Sequence, residues 1–127
     1  MIIGIGIDLV KVDRIERAVE KWSDAFTARV FTQAELEYCT KQKRPAEHLA
    51  ARFGVKEAVM KAFGTGHGGG VRWTDVEVTR DEHGKPAVHL HGKLLELAGR
   101  MGVSRTLVSV SHDSGFSVAQ AILTGER

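Results

Sequence analysis

Phe53-Gly54-Val55-Lys56-Glu57-Ala58-Val59-Met60-Lys61-Ala62 reads as the middle of a long helix that carries charge inside an apolar arc. At about 100° per residue, Leu49, Phe53, Met60 and Phe63 gather on one side, with Ala46 and Ala50 at the margin. Glu57 falls among them, Lys56 projects into the same arc, and Lys61 lies at its edge. Pro45 suits the first helical turn, and Gly64 is the expected stop. A carboxylate carried toward a core is costly unless a cation or hydrogen bonds compensate it, so Glu57 needs a partner. One reading is an i,i+4 pair with Lys61, worth about 0.2–0.5 kcal/mol in solvent. The other is a functional site, and the helix alone does not separate the two.

Outward from this helix, residues 2–7 read as a strand that ends at Asp8. Val12, Ile15, Val19 and Trp22 follow at helical spacing. Ser23 or Asp24 can begin another turn, and Thr32-Gln33-Ala34-Glu35 has the capping-box pattern that opens a helix through about Lys41. Residues 64–70 carry so many glycines that only a loop suits them. Residues 71–80 and 87–91 alternate as strands around the turn residues 81–86, and 93–101 read as helix. Residues 106–112 and 116–123, separated by Asp113-Ser114-Gly115, form a second hairpin. The order is β-α-α-α-β-β-α-β-β. Helices and strands come in separate runs, which predicts an α+β fold whose mostly antiparallel sheet packs against the long central helix.

A chain of 127 residues suits one domain spanning 1–127. Its 43% hydrophobic and 27% charged residues are those of a soluble globular protein. No uncharged apolar run is long enough to span a membrane. Residues 1–7 are apolar but lack a basic flank and a cleavage site, and Asp8 interrupts them, so a buried strand is expected rather than a signal peptide. Cys39 is the only cysteine, which excludes an internal disulfide and points to a reducing, cytoplasmic setting. The net charge of +2 favours an anionic ligand without demanding nucleic acid. With 6% aromatic residues the strands offer few platforms for stacking bases, which disfavours an RNA-binding module.

Asp8 and Glu57 can both reach one side of a helix-on-sheet sandwich, and two carboxylates suit a hard cation such as Mg²⁺ that also binds substrate phosphates. The plain alternative for Asp8 is a charge at a helix N-terminus. From Lys41 to Lys61 six basic residues, Lys41, Lys43, Arg44, Arg52, Lys56 and Lys61, face only Glu47 and Glu57. Such a surplus can hold a ligand bearing several phosphates, or form an ordinary solvated face. The glycine loop follows a helix, so it is neither a dinucleotide fingerprint nor a P-loop, though its amides can contact phosphate. Arg14, Arg17 and Lys21 project within about 60° of one another, apart from the stripe of Asp13, Glu16 and Glu20, and can dock an acidic partner. Ser111-His112-Asp113 is no catalytic triad, because neighbours on a strand point to opposite faces. His89 and His91 share a strand face without a third ligand, and His112 at a strand end can touch a ligand.

Gly4-Ile5-Gly6-Ile7-Asp8, the helix motif from Phe53 to Ala62, and Ser109-Val110-Ser111-His112 together resemble the holo-[acyl-carrier-protein] synthase family, the small 4′-phosphopantetheinyl transferases, over essentially the whole chain. The resemblance implies transfer of phosphopantetheine from coenzyme A to a serine of an apo acyl carrier protein, a step of lipid metabolism. It implies Asp8 and Glu57 as ligands of Mg²⁺, with Mn²⁺ as the alternative, and Glu57 and Lys61 as catalytic residues. Coenzyme A contacts are expected from Arg44, Arg52, Lys61, Gly64, Gly66 and His112, and carrier-protein docking from Arg14, Arg17 and Lys21. The serine's base is left between Glu57 and a metal-bound water. The family likeness further implies a homotrimer with sites at subunit interfaces. A related transferase acting on polyketide or peptide synthase carriers would share the chemistry and differ in partner.

Overall fold

In the computed structural model, which describes residues 1–126, strand β1 (Ile2–Lys11) runs directly into helix α1 (Val12–Trp22), followed by α2 (Asp24–Val30), α3 (Gln33–Thr40) and the long α4 (Pro45–Phe63). A 3-10 turn (Trp73–Asp75) leads into the hairpin β2 (Val76–Arg80) and β3 (Pro86–Leu90). Helix α5 (Gly92–Met101) and a second hairpin, β4 (Arg105–Asp113) and β5 (Phe116–Thr124), complete the chain. The α+β class and, apart from one added helix, the order of elements are as the sequence predicts. Among the described residues four helices rather than three precede β2, because the turn expected near Asp24 extends into α2.

β1 does not end at Asp8. It pairs antiparallel with β5 as far as Lys11 opposite Phe116, so Asp8 lies within the strand, opposite Ala119. The sheet order is β1-β5-β4, and β2 and β3 form a separate two-stranded sheet. At the turn between β4 and β5, Ser114 and Gly115 both have positive φ (51° and 80°), the backbone that a two-residue hairpin requires.

Alternation along β1 decides what meets α4. Gly6 and Val10 are buried on the helix side, whereas Ile5, Ile7 and Leu9 are about 60% exposed on the other. The two inward glycines let the helix lie directly on the strand: a Cβ at Gly4 would sit 2.2 Å from the Ala62 carbonyl oxygen, and one at Gly6 2.0 Å from that of Ala58. On the opposite side α4 is covered by α1 and α3, where Ile15, Phe31, Cys39, Leu49 and Phe53 form a second core cluster. Helix α4 is therefore buried nearly all round, and the single apolar arc expected from sequence is replaced by a narrow open stripe.

That change relocates the buried charge. Lys56, not Glu57, is fully buried. Its ammonium bonds Glu35 Oε1 at 2.9 Å, the Trp73 carbonyl at 3.2 Å and the Val76 carbonyl. Glu35 completes the capping box by accepting from Thr32 N, and its second oxygen accepts from Val78 N at 2.7 Å. Four elements meet at this pair. Burial pushes the Lys56 pKa down, against the pull of Glu35. Cys39 is buried beside them with its thiol pushed up to about 11 by desolvation, which makes it unreactive. No helix among the described residues is long and apolar enough to cross a membrane.

Candidate active site

The inward face of β1 carries Asp8 onto α4 because Asp8 shares the parity of Gly4 and Gly6. Its carboxylate lies alongside Gly54: a Cβ there would be 4.0 Å from Asp8 Oδ2, an ordinary van der Waals contact. One oxygen of Asp8 accepts from Lys61 Nζ at 2.9 Å, and the same ammonium reaches the Ile7 carbonyl at 3.1 Å. Gly54, Glu57 and Lys61 succeed one another at i,i+3 and i,i+4 on one helical stripe, and Asp8 reaches the last of them. Glu57 stands on this stripe with its side chain 20% exposed, and it does not pair with Lys61. Its Oε1 lies 3.1 Å from His67 Nε2 in the glycine loop. Both candidate partners of the sequence reading are thus reassigned, Lys61 to Asp8 and Glu57 to His67, because a strand packed across the helix competes with the helix's own i,i+4 geometry.

Among the described residues no three His, Cys, Asp or Glu side chains are grouped to hold a metal ion. Asp8, which reaches Lys61 at the end of this stripe, and Glu57, which stands on it, are carboxylates of the kind that suit a hard divalent cation keeping water and substrate phosphate in its remaining positions. The same donor set does not suit zinc.

A second cluster lies on the other side of α4. Tyr38, His48, Arg52, Arg80 and His112 line an open cleft of about 210 Å³ that none of Asp8, Glu57 or Lys61 lines. The Arg52 and Arg80 guanidinium carbons lie 4.5 and 5.2 Å from the centre of the Tyr38 ring, and Arg80 donates to the Tyr38 hydroxyl oxygen. Arg52 is 7% exposed, and its buried Nε has no hydrogen-bond partner among the described residues. His48 is held below its ordinary value of 6.5, first by burial and then by Arg52 and His112. Two guanidiniums and two imidazoles with no carboxylate in the lining make an anion cleft. Val110 and His112 of β4, the edge strand opposite β1 in the three-stranded sheet, form one of its walls.

A family model described as the 4′-phosphopantetheinyl transferase superfamily matches residues 4–121. The chain belongs to that superfamily. It is 46% identical over 123 residues to a holo-[acyl-carrier-protein] synthase of Koribacter versatilis, covering 97% of this chain and 98% of that one. The crystal structure of holo-[acyl-carrier-protein] synthase from Neisseria meningitidis is similar at a TM-score of 0.90 and 35% identity, over 98% of this chain and 99% of the other. A Bacillus anthracis holo-(acyl-carrier-protein) synthase in complex with CoA (3′,5′-ADP) is similar at a TM-score of 0.79 and 35% identity, over 99% of each chain.

In this phosphopantetheinyl transferase the remaining predicted residues are dispersed. Arg44 is exposed at the start of α4 and pairs with Glu47 at 3.3 Å, outside the lining of the cleft of Arg52 and His112. Gly64 is the left-handed cap of α4 (φ 78°), and its N–H is used on Met60 and Lys61 carbonyls. Gly66 lies exposed in the loop beyond with φ 56°. Arg14, Arg17 and Lys21 are exposed along α1, but Arg17 bridges to Asp13 and so joins the two charge stripes. Arg14 leans over Phe53 at 5.9 Å and Lys21 over Trp22 at 4.9 Å. His91 lies beyond β3 and bonds Glu77 at 3.0 Å, so it shares no strand face with His89. Sequence reasoning missed Tyr38, His48, Arg80 and His67. Only the surplus of basic residues near Arg52 hinted at the cleft, and nothing local tied His67 to Glu57.

Proposed function

We propose that this enzyme transfers the 4′-phosphopantetheine group of coenzyme A to a serine of an apo acyl carrier protein, in a reaction that depends on Mg²⁺ or Mn²⁺ and releases adenosine 3′,5′-bisphosphate. The observation that carries this reading is the Asp8–Lys61 contact over Gly54 on the stripe that also bears Glu57. In this reading Asp8 and Glu57 are the two carboxylates for a cation, and Lys61 is the ammonium for phosphoryl oxygens. When bound by Asp8 and Glu57, the cation supplies Lewis-acid polarisation of the pyrophosphate. The serine oxygen bonds to the phosphopantetheine phosphorus, the bridging P–O bond breaks, and its electron pair leaves on the adenosine bisphosphate. The serine proton passes to a base, for which Glu57 is the carboxylate at hand. Lys61 balances charge on the transferring phosphoryl group.

Coenzyme A also needs an anion cleft, and Arg52, Arg80, His48 and His112 are the hydrogen-bond donors that line one. Within one protomer Asp8 lies on one edge strand of the sheet and His112 on the other. A head-to-tail arrangement brings the β1 edge of one copy to the β4 edge of the next, and it closes into a ring of three when each copy is rotated by a third of a turn. The exposed face made by Ile5, Ile7, Leu9 and Leu107 supplies the apolar surface for it, which supports a homotrimer with composite sites. Arg44, Gly64 and Gly66 border the coenzyme, and the exposed Arg14, Arg17 and Lys21 dock the acidic carrier protein.

The test mixes the protein with coenzyme A, Mg²⁺ and several apo carrier proteins and follows carrier mass. A phosphopantetheine-sized increase on a serine is expected, abolished by Glu57→Gln with the fold retained. No increase on any carrier, or full activity of Glu57→Gln, refutes the reading.

A further inference from the structure

The glycine loop contributes one side chain with acid–base and donor chemistry, His67. Its Nε2 lies 3.1 Å from Glu57 Oε1, and because a carboxylate only accepts, the ring nitrogen carries the proton. The imidazole is gripped from its other face: it packs on the Trp73 ring at 4.3 Å between centroids, and Trp73 stacks on Phe53 at 4.9 Å. Phe53 precedes Glu57 by four residues on α4, so the chain of contacts Phe53, Trp73, His67, Glu57 leaves the helix and returns to it one turn later. The wall is anchored from below, where the buried Lys56 ammonium donates to the Trp73 carbonyl at 3.2 Å. Gly66, Gly69 and Gly70, with φ of 56°, 70° and 81°, supply the left-handed turns that fold the imidazole back over α4.

We propose that His67 is a positioning residue for Glu57: its N–H holds one carboxylate oxygen, fixes the plane of the group, and leaves the other oxygen for the cation. The inference rests on the assignment of Asp8 and Glu57 to that cation. Partners of this kind fix the orientation of a metal ligand, and their loss costs about 10–100-fold in metal affinity. The His67 and Glu57 side chains are 48% and 20% exposed, so the contact is partly screened and acts through orientation more than through charge. The opposite consequence would follow if the imidazole competed with the cation for the carboxylate, because its removal would then tighten binding.

The experiment measures Mn²⁺ binding to the full chain with saturating coenzyme A, by water-proton relaxation, which needs no turnover. His67→Phe keeps an aromatic ring against Trp73 and removes the donor, and His67→Gln keeps a donor. His67→Phe should weaken Mn²⁺ by about tenfold or more, with His67→Gln within about threefold of wild type. Unchanged or tighter binding by His67→Phe overturns the proposal, as does His67→Gln binding as weakly as His67→Phe. Wild-type protein whose Mn²⁺ binding is indifferent to Asp8→Asn would overturn the cation site itself, a result visible before any His67 variant is made.

Discussion

Replacing Gly6 by alanine tests whether the close approach of β1 to α4 builds the site. A Cβ at this position would lie 2.0 Å from the Ala58 carbonyl oxygen, 2.8 Å from Ala62 N and 3.0 Å from the Ala58 carbonyl carbon. All three are helix backbone atoms, which cannot rotate aside as a side chain can. Restoring even a 3.0 Å separation from the oxygen moves the helix by about 1 Å. Overpacking of this kind costs about 1–3 kcal/mol, and the loss of glycine's freedom in the unfolded chain returns about 0.4–1 kcal/mol. The net destabilisation is about 1.3 kcal/mol, a fall in Tm of roughly 5 °C for a chain of this size. The functional loss is larger. Ala58 is next to Glu57 and one turn before Lys61, so the same shift stretches the 2.9 Å contact of Lys61 with Asp8. A misplacement of about 1 Å costs on the order of 100-fold in rate. Carrier-protein transfer followed by mass, together with thermal unfolding, reads both quantities. Gly54→Ala is the control: its Cβ meets nothing nearer than 3.5 Å, and alanine favours the helix by about 0.8–1 kcal/mol, so Tm should rise. A Gly6→Ala protein with wild-type Tm and transfer within about threefold of wild type would refute the argument.

Lys56→Met leaves the Glu35 carboxylate buried without its cation and should cost about 3–5 kcal/mol in urea unfolding. Glu35→Gln/Lys56→Met should recover much of that loss; equal stability of the single and double variants would show that the pair is not coupled. Arg52→Ala should raise the KM for coenzyme A by about 10–100-fold with kcat little changed, since a charge-assisted contact is worth about 1.5–3 kcal/mol; a loss confined to kcat would place Arg52 elsewhere. The folded-state pKa of His48 lies below 6.5, so the unfolded chain binds more protons in the window beneath 6.5 and stability falls as pH drops through it. A bound phosphate favours the protonated imidazole, so coenzyme A affinity should rise over the same window; His48→Gln should flatten both trends in urea midpoints and binding titrations. Ile7→Glu, on the exposed face of β1, should yield monomers by sedimentation and abolish transfer, whereas an active monomer would refute the composite site.

Much of this molecule was legible along the chain. Periodicity marked α4 and both hairpins, Thr32 and Glu35 announced a helix start, and the spacing of Gly4, Gly6 and Asp8 before a helix carrying Glu57 and Lys61 resembled a known family closely enough to imply its activity. These signals are local, carried by side-chain period, backbone propensity and capping within one segment. The end of β1 was misplaced because Asp8 is a poor strand residue. It stays in the strand because β5 pairs with β1 beyond it and Lys61 meets its carboxylate.

Which charge is buried, and which partner each charge takes, was decided by tertiary structure alone. A helical wheel counts apolar neighbours on one helix and so placed Glu57 within the arc. Once β1 and β5 cover one side of α4, and α1 and α3 the other, Lys56 is enclosed with Glu35, Lys61 turns to Asp8, and Glu57 is left at the rim for His67. An ion pair is set by distances of a few ångströms between atoms whose separation along the chain is arbitrary, so its energy enters only when the elements dock. The sequence by itself determined the segments, the class of fold and the residues able to do the chemistry. The packing of a strand across a helix at two glycines determined which of those residues meet.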